Sequence, residues 1–276
     1  MADVQPRQIR PGGLMAASVH QLRLFFVALQ FFTRLPIPGW IGFEPAWLQQ
    51  AARYFPAVGI VVGVATAAVY GVSAYFWPPA VAVLLSTIAG IYLTGAFHED
   101  GFADVCDGFG GGYTAARILE IMKDSRVGAY GAIGIALLLG LKCTVLASLS
   151  FWPVIAALMV AHPASRLMAA AVIWRLSYVK TEGKAKPLAE HMSTTEFAIA
   201  AVCAALPLLV VGLFGWVRWT AIAAGMVLSA AATLWLVRFF VRRIGGYTGD
   251  CLGAVQQVAE VTFYLGMLAA VAHSGA

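Results

Sequence analysis

Tyr54-Phe-Pro-Ala-Val-Gly-Ile-Val-Val-Gly-Val-Ala-Thr-Ala-Ala-Val-Tyr-Gly-Val-Ser-Ala-Tyr-Phe-Trp77 runs for 24 residues without a charged side chain. About 20 apolar residues suffice to carry an α-helix across a bilayer core. Six further stretches have the same character, at 80–97, 130–152, 154–174, 197–217, 220–241 and 253–272. Short, turn-rich connections such as Pro78-Pro79 and Pro153 join them. The reading is an all-α, polytopic membrane bundle of about seven transmembrane helices, with residues 1–276 forming one domain. Composition agrees: 61% of the residues are hydrophobic and 11% charged, against roughly 25% charged in soluble domains. A soluble globule so apolar would expose large adhesive patches.

The distribution of Lys and Arg predicts the orientation. With residues 1–53 on the cytoplasmic side and seven alternating spans, fifteen of the eighteen basic residues face the cytoplasm. These are Arg7, Arg10, Arg23, Arg34, Arg53, Arg117, Lys123, Arg126, Arg175, Lys180, Lys184, Lys186, Arg238, Arg242 and Arg243. Arg218 alone falls opposite, while Lys142 and Arg166 fall inside spans. The expected arrangement is a multi-pass membrane protein whose basic side, with the connections 98–129 and 242–252, faces the cytoplasm. A net charge of +5 then reflects anchoring on anionic lipid and calls for no nucleic-acid partner. The polar start, Met1 to Met15, lacks an apolar core with a cleavage site, so no signal peptide is read. His20 to Thr33 is apolar, but Arg23, Gln30 and Arg34 fall within about 40° of one another on a helical wheel. That stripe predicts an amphipathic helix in the interface. A spanning helix is the alternative there. The four cysteines form no CxxC pair and predict neither disulfides nor a zinc ribbon.

Six of the thirteen acidic residues lie between Glu99 and Asp124, in the connection 98–129. If the preceding helix continues through it, Asp100, Asp104 and Asp107 project within about 60° of each other. No Lys or Arg lies between Arg53 and Arg117 to neutralise them. Oxygen donors without Cys or several His favour Mg²⁺, Mn²⁺ or Ca²⁺ over zinc. Gly108, Gly110, Gly111 and Gly112 follow, offering a backbone that a phosphate can approach closely, and then Arg117, Lys123, Asp124 and Arg126. Carboxylates that hold metal, exposed amides and cationic clamps are the parts of phosphoryl transfer. Asp250 opens the last span and either caps it or adds a ligand from a second segment. Arg166 and Glu260 each lie about 12 Å inside the same boundary. Intramembrane charges are costly and usually paired, so the two are expected to neighbour each other or the site. His162 is expected to pack or hydrogen-bond, and Lys142 receives no role.

Ala96-Phe-His-Glu-Asp-Gly-Phe-Ala-Asp-Val-Cys-Asp-Gly108 followed by Leu119-Glu-Ile-Met-Lys-Asp-Ser-Arg-Val-Gly128 resembles the adenosylcobinamide-GDP ribazoletransferase (cobalamin 5'-phosphate synthase) family. Further matches are Phe32-Thr-Arg-Leu-Pro-Ile-Pro38, Tyr54-Phe-Pro-Ala-Val-Gly59, Ser165-Arg166 and Gly245-Gly-Tyr-Thr-Gly-Asp-Cys-Leu-Gly-Ala254, in the family's order. Gln257 departs from it, because an acid often stands there. The resemblance implies Mg²⁺-dependent joining of α-ribazole, or its 5'-phosphate, to adenosylcobinamide-GDP with release of GMP. It implies metal ligands at Asp100, Asp104 and Asp107, and catalytic or supplementary carboxylates at Asp104, Asp124 and Asp250. Arg117, Lys123, Arg126, Arg166 and Gly108 become phosphate contacts, with Glu99, Glu260 and Arg34 as possible additions. A corrinoid is bulky, so a wide cavity open to the cytoplasm is expected. Membrane lipid is an implied partner; oligomerisation and association with other corrinoid-pathway enzymes stay open.

Two other classes of membrane protein match the sequence less well. A CDP-alcohol phosphatidyltransferase also carries a DG-containing acidic helix, but Asp104 stands where that family has Arg after Ala103, and its second acidic half is missing. A secondary transporter would place substrate charges at the midplane between repeated halves, and the chain has no internal repeat.

Overall fold

A computed structural model describes residues 11–179 and 190–273. Arg7, Arg10, Lys180, Lys184 and Lys186, counted above for orientation, lie outside the described residues. Eleven α-helices are described: α1 (Pro11–Phe32), α2 (Pro45–Ala51), α3 (Phe55–Phe76), α4 (Pro79–Thr94), α5 (Phe97–Gly111), α6 (Ala115–Ile121), α7 (Ala129–Ala147), α8 (Phe151–Arg175), α9 (Thr194–Leu213), α10 (Trp219–Ile244) and α11 (Gly249–His273). No strand occurs among the described residues; one isolated bridge joins Tyr178 to Tyr247. Six helical stretches are long and apolar enough to cross a membrane, and the bent pair α4–α5 makes a seventh if taken as one span. The apolar part of α1, Ala16–Phe32, is shorter than these.

Proline stands in the first turn of α2, α3 and α4, where the missing N–H costs no hydrogen bond. Ser193 and Glu196 form a reciprocal capping box on α9. Glu196 also pairs with Arg53 at 2.5 Å, tying the foot of α3 to that of α9. The most extensive packing is α10 on α11 and α3 on α8. Gly59 and Gly63, four apart on α3, meet the α8 backbone so closely that a Cβ at Gly59 would sit 2.6 Å from the His162 carbonyl oxygen. Small residues at this spacing let membrane helices approach.

The span expected at 80–97 is corrected. Gly95 (φ 66°) and Ala96 (φ 59°) are both left-handed, and the axis turns by 90° between α4 and α5. The 16 residues of α4 rise only about 24 Å, less than the roughly 30 Å hydrocarbon core. The acid-rich segment 98–129 is mostly helical: it forms α5 and α6, and a loop at 122–128 leads to α7. Arg34 secures the corner, its N–H donating to the Leu93 carbonyl at 2.8 Å and its guanidinium lying over Tyr92.

The core falls into two apolar clusters. One holds Ala169–Ile173 of α8 and Cys251–Val255 of α11; the other holds Val154–Ala161 and Phe263–Met267 of the same helices. Between them His162 and Arg166 on α8, and Gln256, Gln257 and Glu260 on α11, form a buried polar layer.

Candidate active site

α5 carries the acidic residues of the sequence reading on a regular helix, with Asp100, Asp104 and Asp107 at i, i+4 and i+7. α11 packs against it through small residues. A Cβ on Gly101 would lie 3.0 Å from the Asp250 Cα, and one on Gly253 would lie 3.1 Å from the His98 carbonyl oxygen. The start of α11 is thereby seated beside the acidic helix, which brings Asp250 to it as the sequence allowed. At the other end of α5, Arg243 donates to the Gly112 carbonyl at 2.7 Å, so the foot of α10 closes the helix C-terminus.

The three aspartates differ. Asp100 is exposed, Asp104 half-buried and Asp107 buried. Asp107 Oδ2 accepts the Gly128 N–H at 2.7 Å and Oδ1 accepts the Gly131 N–H at 2.8 Å. It caps α7 from a neighbouring helix, a role the sequence did not disclose, and its carboxylate is fixed in orientation. Each carboxylate oxygen keeps further acceptor capacity.

The glycines after the acids differ in their surroundings. Gly108 is buried, with Met122 and Ile118 of α6 against it. At Gly108 the close approach that glycine permits is made by α6 and Met122, whereas Gly110 and Gly111 are exposed. Arg117 pairs with Glu120 at 2.8 Å in solvent. Arg126 grips Asp124 through Nη2 at 2.6 Å and through Nε, and the Arg126 guanidinium lowers the Asp124 carboxyl to about 2. Lys123 shares a cleft of about 150 Å³ with Asp250, Thr248 and Tyr178.

A second cleft, of about 140 Å³, adjoins the first through Tyr178 and Gly249. Phe31, Phe32, Phe55 and Phe97 wall it, and His98, Arg166 and Gln256 lie at its inner side. Two adjoining clefts thus lie where the substrate is expected to enter.

Beyond His98, Arg166 and Gln256 lies a chamber with about 20 Å³ of free volume, room for one or two waters. Lys142 reaches Glu260 at 2.5 Å, with the two side chains 5% and 1% exposed. His162 Nδ1 lies 3.1 Å from Glu260 but is not aligned for a hydrogen bond. Gln256 donates to Glu260 at 2.6 Å and to Ser165 at 3.1 Å. Gln257 donates to Glu99 at 2.9 Å, so the amide that departs from the family pattern is the neutral partner of a buried acid. Arg166 Nη1 donates to the His162 carbonyl at 3.0 Å, and Arg166 and Glu260 line the same chamber. The expectation that they neighbour each other is met. Glu99 and Glu260 therefore belong to the interior layer, apart from the surface acids. Lys142, given no role from sequence, is its cationic partner; an ionisable residue inside a span is itself the signal that could have marked it.

Among the described residues no three His, Cys, Asp or Glu converge into a metal cage. Mg²⁺ does not require one: it keeps several waters and typically takes one or two carboxylates plus substrate phosphates. Asp100 and Asp104, one turn apart on α5, are oxygen donors that fit an ion entering with a diphosphate.

Together these features define a multi-pass membrane protein with an acidic helix packed against the start of α11 and an aromatic cleft at one end of the bundle. Residues 24–268 match the family model of cobalamin-5-phosphate synthase. The chain is 45% identical over 262 residues to the adenosylcobinamide-GDP ribazoletransferase of Leptothrix cholodnii, covering 93% of this chain and 99% of the relative. The proteins of that name from Ralstonia nicotianae and Shewanella woodyi are 46% and 45% identical, over 90% of this chain and 95% and 96% of theirs. No solved structure matches. The chain belongs to the cobalamin-5-phosphate synthase family.

Proposed function

We propose that this protein joins α-ribazole, or its 5'-phosphate, to adenosylcobinamide-GDP with release of GMP, using Mg²⁺ at the cytoplasmic face of a bacterial inner membrane. The hydroxyl oxygen of the ribazole forms a bond to the cobinamide-linked phosphorus. The bond from that phosphorus to the bridging oxygen breaks, and GMP leaves with that oxygen. The hydroxyl proton goes to water or a neighbouring carboxylate.

The observation that carries this reading is the seating of Asp250 beside Gly101. It sets the backbone of Asp250 on α11 against α5 at the residue after Asp100, with Lys123 in the same cleft as Asp250. Asp100 and Asp104 would hold the ion, which supplies charge neutralisation on the diphosphate. Asp107, clamped by two amides, holds α5 at a fixed angle to α7. Asp250 orients the incoming hydroxyl, and Lys123 offers a fixed positive charge for the departing phosphate. Arg53, Arg175, Arg242 and Arg243 close or open helices at this same end, which supports a cytoplasmic site.

Detergent-purified protein supplied with both substrates and Mg²⁺ should release GMP and form the joined corrinoid. EDTA should abolish the release, and Asp104→Asn should lower kcat by at least about 100-fold, the scale of losing one preorganised charge contact. Wild type that binds both substrates yet releases no GMP would sink the assignment.

A further inference from the structure

We propose that the aromatic cleft is the subsite for the flat, largely apolar heteroaromatic base of the incoming nucleoside, stacked among Phe31, Phe32 and Phe97. This deepens the function proposed above and rests on it. The rings are already arranged for aromatic contact. Phe32 meets Phe31 edge-on at 4.9 Å and Phe55 at 4.5 Å, and stacks on His98 at 5.4 Å with planes 13° apart. Phe97 meets Phe31 at 5.0 Å and is 42% exposed, because one side of it has no protein neighbour. The free volume of about 140 Å³ has room for on the order of ten waters, enough for a bicyclic base.

Two features choose this occupant. The cleft shares Tyr178 and Gly249 with the cleft of Asp250 and Lys123, so a base held here places its attached sugar at the reacting end. The wall is aromatic and aliphatic, with polar side chains only at Tyr178 and at the inner His98, Arg166 and Gln256. A guanine carries several donors and acceptors on its edge, and leaving them unpaired against phenyl rings is costly. The base of α-ribazole, a benzimidazole joined to the sugar through one ring nitrogen, carries one free ring nitrogen and otherwise apolar edges. The base of the nucleophile therefore fits where the base of the leaving group does not.

Full-length protein in detergent is titrated with α-ribazole by the fluorescence of its base, without the corrinoid substrate. Phe31→Leu and Phe97→Leu, at partly exposed positions, should each weaken binding about two- to tenfold, the range of one aromatic contact. In turnover each should raise KM for the nucleoside by the same factor and leave KM for adenosylcobinamide-GDP unchanged. GMP should not displace the bound nucleoside. Unaltered nucleoside affinity in both variants, no binding by wild type, displacement by GMP, or displacement by a short-chain phospholipid would each overturn the subsite. The two claims fail separately. Wild type that turns over with unchanged KM in both variants loses the subsite and keeps the function; wild type with Phe-dependent nucleoside binding and no GMP release does the reverse.

Discussion

Asp107 accepts the N–H groups of Gly128 and Gly131, so its charge lies on the N-terminus of α7, where the helix dipole favours an anion. Asp107→Asn retains one acceptor oxygen and turns an NH₂ toward the second amide. The expected loss is about 1–3 kcal/mol, as for a buried charge-assisted hydrogen bond, measured as a lower Tm in detergent. An unchanged Tm with altered Mg²⁺ dependence would instead make Asp107 a ligand only. Asp124 behaves differently. Its carboxyl is lowered from 3.8 to about 2 by Arg126, so the contribution of the pair is present above pH 3.8 and is lost as pH falls through about 2. Asp124 stays ionised throughout the neutral range, and Asp124→Asn should leave the acid limb of the rate profile in place. A shift of that limb would show a different titration. The acids at 100, 104 and 107 could be read from spacing alone. The capping by Asp107 could not, because its partners lie 21 and 24 residues away and no local pattern joins them.

At the scale of elements, the break between α4 and α5 shapes the site. Gly95 is left-handed at φ 66°, and a Cβ there would lie 3.0 Å from Arg34 Nε. Gly95→Ala should cost about 1–2 kcal/mol, the left-handed penalty for an L side chain. The Tm falls accordingly, and activity falls with it if the corner aims α5. A variant that matches wild type in both would remove the corner from the argument. Hydropathy could not reveal this bend, since Tyr92 to Phe97 is nearly as apolar as the helix before it. Glycine is a common helix stop, but Ala96 also takes φ 59° and nothing in its side chain announces that.

Across the whole molecule, the polar layer couples helices that the apolar clusters hold together. Lys142 on α7 and Glu260 on α11 are buried and paired, and removing one partner strands the other. Lys142→Met or Glu260→Gln alone should destabilise by about 3–5 kcal/mol. The double variant should recover a large part of that loss, a coupling read from thermal unfolding of all four proteins. Additive losses would show that the pair does not interact.

The sequence by itself determined that the chain carries several helices long and apolar enough to cross a membrane, which end is basic and which helix face is acidic. Those properties follow from local composition and from periods of a few residues. Only the tertiary structure decided that α5 leaves the α4 axis at 90°, that Asp250 sits against Gly101, and that Gln257 meets Glu99 across 158 residues. It also gathered Phe31, Phe55 and Phe97 into one cleft. Each of these depends on contacts between distant segments, set by how closely the helices pack, and helix packing leaves little trace in the sequence of any one helix.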